Sequence, residues 1–202
     1  MPATTLETGQ TAAQASLIRW LTDNVPNPIT VPILATPVAY EVQANRPLQV
    51  TDFDSKQVVS VNDIGLVQPA ADDLFDTLTY APGDPEPAKR GRFASTVLEI
   101  IIWGHQRTPE DDAQARILFI RDAIKANYLL AGQLKEDGVT YWAPPIQILD
   151  YTQGGTPATA NLIHRDRSGL WMTENWLPND EHPEIRAWRM LLRIHWPEFW
   201  AS

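Results

Sequence analysis

His164, Arg165 and Asp166 stand consecutively and are the residues in this sequence whose types come nearest to acid–base chemistry. A positioned histidine or carboxylate can move a proton near neutral pH, provided a partner lies within hydrogen-bond reach. No partner for this triplet is identifiable, and a polar strand end accounts for it as well as catalysis does. The other histidines, His105, His182 and His195, are scattered. There is no H-E-x-x-H pair, no cysteine and no dense carboxylate loop, so the sequence supports neither a zinc nor a calcium site. Paired glycines occur at Gly154-Gly155, but no lysine follows them. Neither a Walker loop nor a dinucleotide fingerprint matches. A G-x-S-x-G elbow is also missing. The sequence thus predicts no catalytic residue, no metal ligand and no cofactor; it does not read as an enzyme.

Two clusters invite a functional reading beside a plain one. Lys89-Arg90-Gly91-Arg92 is the one dense basic run, at the end of the loop APGDPEPAKRGR. It reads as a solvated loop end before a strand, or as a contact for a phosphate or an acidic partner. Glu110, Asp111 and Asp112 could suggest a cation site, but acids at a helix start complement its positive end. The eight tryptophans include Trp188 and Trp196 in one apolar register, and Trp20 on or beside a helix stripe. These read as core or subunit interface. Trp171 and Trp176 lie in a polar segment and are the candidates for exposed contacts.

The chain has 202 residues, 44% of them hydrophobic and 20% charged, which suits one globular domain with a real core. The absence of cysteine excludes disulfides and thiolate chemistry. No apolar run approaches the roughly 20 residues that span a bilayer. The N-terminus lacks a signal-peptide pattern, so the sequence reads as made and kept in a cytoplasm unless carried out on a particle. The net charge of −9 is uneven. Residues 1–88 hold three basic and eleven acidic side chains, and residues 89–202 hold thirteen and fourteen. A phosphate-gripping protein shows the reverse, a basic stripe. Ordinary nucleic-acid binding is disfavoured; an acidic surface that DNA slides past is not.

The elements that must position these residues follow from periodicity. Residues 1–10 read as a mobile tail, and 11–202 as a single domain with loop extensions near 62–92 and 132–160. Thr11–Asn24 reads as a helix with Leu17, Ile18 and Leu21 on one stripe, stopped by Pro26 and Pro28. Short β-type stretches follow at Ile29–Leu34, Val38–Val42 and Gln57–Val61, with a short helix expected at Ala71–Tyr80. Phe93–Trp103 reads as a strand whose Ala94, Thr96, Leu98, Ile100, Ile102 set, apolar or small apart from Thr96, is the core face, so that Glu99 faces outward. From Thr108 to Leu130 the sequence predicts a long helix, with Thr108 as cap and Pro109 at its first position. Its face of Ala113, Ile117, Ile120, Ile124 and Tyr128 is continuous. Gly132 ends it. Asp137-Gly138 marks a hairpin turn, and GGTPATA reads as a flexible loop. Residues 161–176 read as two short strands joined near Arg167-Ser168-Gly169. Arg186–Trp196 alternates, with Trp188, Met190, Leu192, Ile194 and Trp196 on one face and Arg189, Leu191, Arg193 and His195 on the other. The predicted class is α+β: a mixed, mainly antiparallel sheet carrying an N-terminal helix and one long central helix, with long loop insertions.

The run TAAQASLIRWLTDN, then STVLEIIIWGHQR followed by TPEDDAQARILFIRDAIKANYLL, then AWRMLLRIHW, resembles in order the tail terminator proteins of long-tailed bacteriophages. The resemblance is one of element pattern over most of the chain. It implies a virion subunit, made in the host cytoplasm, that forms a hexameric ring at the tail–neck junction. Such a ring stops tube polymerisation and meets the tail tube protein and a neck or stopper protein. DNA passes through its lumen without specific binding, and no membrane is involved. On that reading the working residues are surface contacts: Lys89, Arg90 and Arg92 toward an acidic neighbour, Glu99, Arg189 and Arg193 across a subunit boundary, with Trp171 and Trp176 exposed. Charge reversal of Arg189 and Arg193 is then expected to weaken the ring. The alternatives are another neck or tail component, such as a stopper or tail completion protein, and a carbohydrate-binding module or small enzyme using Trp142, Trp171 or Trp176.

Overall fold

A computed structural model describes residues 10–32, 34, 36–44, 57–64, 74–77, 89–106, 108, 112–150, 156–162 and 172–199, some of them by backbone alone. The predicted α+β class is what is found. Helix α1 (Gln10–Asn24) leads into strands β1 (Tyr40–Gln43), β2 (Gln57–Asp63), β3 (Leu74–Thr77) and β4 (Lys89–His105). Helix α2 (Ala113–Leu130) follows, then β5 (Gln147–Asp150), β6 (Thr156–Leu162), β7 (Met172–Leu177) and β8 (Ile185–Phe199). The main sheet runs β1-β2-β4-β8-β7, with β3 paired to the start of β4; β5 and β6 form a separate hairpin. Only β1 and β2 are parallel among these pairs.

The spine is β4, which pairs with β8 from Gly91↔Phe199 to His105↔Ile185. Alternation along both strands puts Leu98, Ile100 and Ile102 beside Met190, Leu192 and Ile194 on one face. These residues, with Val59 and Val61 of β2 and the buried stripes of both helices, make one core cluster. Each such side chain fully removed from water contributes about 1.5–3 kcal/mol. Helix α2 lies over β4 and β8 and helix α1 over β1 and β2. The buried face of α2 is Ala113, Ile117, Ile120, Ile124 and Tyr128, as its spacing predicts. Trp20 of α1 meets Tyr128 edge-on at 6.4 Å, so the two helices share one aromatic joint.

Several boundaries differ from the sequence reading. Helix α2 begins at Ala113, not near Thr108, because Asp112 is the cap: its Oδ1 accepts the Ala115 N–H at 2.8 Å. Glu110 and Asp111 lie outside the described residues. The end is as read, with Gly132 at φ +73° one residue past the Ala131 cap. The helix expected at Ala71–Tyr80 is replaced by β3, whose Leu74–Thr77 pairs with Lys89–Arg92. A long strand offering an open ladder overrides a weak local helix preference there. By the same pairing, Lys89-Arg90-Gly91-Arg92 is strand backbone and not a loop end. Thr156–Ala160, read as flexible loop, belongs to β6, with Leu149 opposite Pro157. Ile29–Leu34 is not a strand; it contributes a single bridge from Ile29 to Val38. Residues 1–9, and the join expected near Arg167-Ser168-Gly169, fall outside the described residues.

Candidate functional site

The outward face of β4 is the first place to look for chemistry, because it carries Glu99. That face is not open. Glu99 is 2% exposed, and its strand neighbours Ser60 and Ile101 are fully buried. Asn62 Nδ2 donates to Glu99 Oε2 at 3.2 Å, and the Arg189 guanidinium stands 4.0 Å from Oε1. Arg189 in turn donates from Nε and Nη2 to Asn175 Oδ1 at 3.2 and 3.1 Å. β2, β4, β8 and β7 thus supply Asn62, Glu99, Arg189 and Asn175 to one polar row on the side of the sheet away from the helices. The structure brings together Glu99 and Arg189, two of the residues read from the sequence as subunit contacts, and pairs them within one chain. A carboxylate so placed is held by an amide and a cation, and it is out of reach of a substrate. Beside this row Trp103 Nε1 donates to Ser60 Oγ at 2.9 Å, and Trp103 packs with Val58 and Ile185.

A second cluster lies where α2 crosses β7 and β8. Glu174 accepts from Lys125 Nζ, and from Trp188 Nε1 at 3.2 Å. Arg121 stacks over the Trp188 ring at 5.0 Å, and Trp176 meets that ring edge-on at 4.9 Å. Burial works to raise the Glu174 carboxyl. The hydrogen bonds from Lys125 and Trp188, with the Lys125 and Arg121 charges, outweigh it and hold the group below its ordinary range. Trp176 is exposed, as its polar setting predicts, yet its ring stands in T-shaped contact with Trp188.

The third region was read from the sequence only in part, through the Asp137-Gly138 turn and Trp142. Six of the eight large apolar side chains exposed among the described residues are Leu129, Leu130, Leu134, Val139, Tyr141 and Trp142. They occupy the end of α2 and the hairpin after it. That hairpin is rigidly tied. Leu134 bridges Tyr141, Gly132 N donates to Ala143 O at 2.9 Å, Trp142 N to Gln133 O at 2.8 Å and Lys135 N to Thr140 O at 2.7 Å. At its tip Asp137 accepts from the Thr140 hydroxyl and from the Val139 and Thr140 N–H groups. These bonds, the hydroxyl's foremost, keep its carboxyl below the usual range. Gly138, at φ +67°, makes the turn that a side chain would strain. Lys135 Nζ lies 5.3 Å from the Trp142 ring centroid. The signal available in sequence was Val139, Tyr141 and Trp142 crowding the Asp137-Gly138 turn.

The remaining sequence candidates are dispersed. Lys89, Arg90 and Arg92 stand on β4 opposite Thr77, Asp76 and Leu74, and Arg193 on β8 opposite Val97. Their side chains, and Trp171 and His164-Arg165-Asp166 altogether, lie outside what is described. His182 pairs with Glu184 at 3.2 Å on the surface. His105 Nδ1 is buried without a hydrogen-bond partner. Among the described residues no group of three or more histidines, cysteines or carboxylates could hold a metal ion. No helix among them is long and apolar enough to cross a membrane.

These features define an α+β fold in which, among the described residues, the exposed large apolar side chains gather on one hydrogen-bonded hairpin and the helix end before it. No protein-family model matches the sequence, and no curated protein matches it significantly.

Proposed function

We propose that this chain is a structural subunit of a phage virion, a tail terminator whose copies form a ring at the head-proximal end of the tail tube. The observation that carries the proposal is how its side chains are deployed. Of the described carboxylates, Glu99 and Glu174 are engaged in internal pairs, and Asp63 accepts from the buried Thr96 hydroxyl at 2.8 Å. The open apolar surface, by contrast, is concentrated on a pre-organised hairpin. Rigid exposed apolar groups are what an assembly contact uses. The fold agrees with the resemblance: an N-terminal helix, short strands, then β4–α2–β8 at the centre. In this reading the ring is hexameric, contacts the tube protein on one side and a neck or stopper protein on the other, and lets DNA pass. A chain of net charge −9 offers a passing duplex repulsion, not a grip.

The test is to add the purified chain to tail tube protein polymerising in vitro. A terminator caps growing tubes, and shortens them as its concentration rises. Tubes of unchanged length, with no chain bound at their ends, would contradict the proposal.

A second reading is favoured by one observation: the Trp142 indole is 58% exposed. A flat exposed indole can stack on a sugar ring. Binding on a glycan array that is lost in Trp142→Ala would replace the assembly reading with a carbohydrate-binding module.

A further inference from the structure

Asp137-Gly138 is the one Asp-Gly pair in the chain, and no Asn-Gly pair occurs. An aspartate followed by glycine is where a main chain can react with itself, because glycine has no Cβ to obstruct the approach. In that reaction a bond forms between Gly138 N and Asp137 Cγ. The bond from Cγ to its hydroxyl breaks, and the hydroxyl leaves with the amide proton as water. The cyclic imide then takes up water at either carbonyl. One opening restores aspartate; the other gives isoaspartate, whose main chain is longer by a methylene and whose mass is unchanged. We infer that Asp137 is the isoaspartate-forming site of this chain, and that its turn holds the reaction shut through the Thr140 hydroxyl and the Lys135 carbonyl.

Each reacting group is restrained by the turn. The nucleophile is Gly138 N, whose N–H donates to the Lys135 carbonyl at 3.0 Å, so attack requires that bond to break first. The electrophile is the Asp137 carboxyl. Its Oδ1 accepts from the Val139 and Thr140 N–H groups, each at 2.9 Å, and its Oδ2 from the Thr140 hydroxyl. Those bonds aim the carboxyl past Gly138, and turning Cγ back toward Gly138 N gives up all three. Cyclisation also consumes the neutral acid. The same hydrogen bonds, the hydroxyl's first, favour the carboxylate, while the flanking Lys135 and Glu136 charges do not set its ionisation. Burial offers no protection, since every residue from Gly132 to Trp142 is exposed and water for the second step is at hand. The lock is therefore the hydrogen bonding of the turn itself. This inference stands whether or not the chain assembles.

The test follows isoaspartate at Asp137 by peptide mapping, where the altered peptide separates at unchanged mass. The full chain is held folded, and in parallel unfolded in guanidinium chloride, at one temperature below melting. The folded chain is expected to react at least about tenfold more slowly, the factor that one hydrogen bond to a charged group supplies. Thr140→Val keeps a branched side chain and removes the hydroxyl. It is expected to speed the folded reaction several-fold. Its rate is also expected to begin falling at a higher pH than the parent's, because the neutral acid persists further. Thr140→Ser is expected to restore both the rate and the profile. Thr140 is exposed, and an unchanged melting temperature separates these effects from unfolding. Equal rates in the folded and unfolded chain would overturn the lock. A Thr140→Val variant with the parent's rate and pH profile would overturn the role of the hydroxyl. Isoaspartate arising first at another aspartate of the unfolded chain would overturn the site.

Discussion

Two apolar regions of this molecule meet opposite fates. Across β4 and β8, Leu98, Ile100, Ile102, Met190, Leu192 and Ile194 are all but fully buried beneath the helices. At the end of α2 and the following hairpin, side chains of the same kind remain in water, Val139 at 77% exposure. The first region has a partner within the chain; the second has none among the described residues, although its backbone is hydrogen-bonded from Gly132 to Ala143. Burial of the first accounts for the fold. Exposure of the second is a standing cost in solvation that docking against another surface relieves.

The comparison can be broken by mutation, and the largest effect belongs to the core. Ile100→Ala is expected to destabilise by about 2–5 kcal/mol, because it removes a buried side chain and leaves a cavity between sheet and helices. Chemical denaturation reads this directly. Next comes the polar row. Arg189→Ala deprives the buried Glu99 of its cation and is expected to cost about 1–3 kcal/mol, whereas Arg189→Lys recovers part of the loss. Were Arg189→Ala neutral in denaturation, the row would contribute nothing to the fold, and Arg189 would be free to serve only a neighbour.

Smaller effects test the hairpin and the margins. Trp142→Ala is expected to change monomer stability by no more than about 0.5 kcal/mol, since an exposed indole has little to lose on unfolding. A loss of the core's size there would show that the hairpin is part of the core after all. Tyr40 is pushed up to about 12 by burial of its hydroxyl, which lies 3.1 Å from the Pro26 carbonyl. Its folded-state value is raised, so its contribution is complete below the unfolded value near 10 and falls as pH rises from there toward 12. Tyr40→Phe is expected to flatten that alkaline decline in melting temperature. Glu174 has the opposite sign: its folded value is lowered, so its pairing with Lys125 is present above about 4.5 and fades as pH falls below it. Lys125→Ala is expected to remove that acid dependence, a change of a few tenths of a kcal/mol at these partly exposed groups.

How much of this was legible in the residues follows the same division. Helix α2 and strand β8 announced their buried faces by spacing alone, because the periodicity of four, three, four from Ala113 to Ile124 has one geometric meaning. The start of α2 was misplaced by four residues, since Thr108 and Asp112 are both good caps and only backbone geometry chooses between them. β3 was hidden because Leu74–Thr77 is too short to show a strand period, and it is fixed as a strand only by its ladder to the start of β4. Glu99 was read as outward, correctly as to the face, but the cover over that face is tertiary. The Asp137-Gly138 turn and Trp142 were read, but the patch that joins them to Leu129, Leu130 and Leu134 was not, because a sequence shows which residues are apolar, not which of them the fold leaves unburied.

The central claim is that this chain works by assembling. The most direct test is its solution mass by light scattering across a concentration series, read beside negative-stain images. The account predicts particles near six times the 22.7 kDa subunit, ring-shaped, at high concentration or in the presence of tube protein. A chain that stays at 22.7 kDa under both conditions would contradict it.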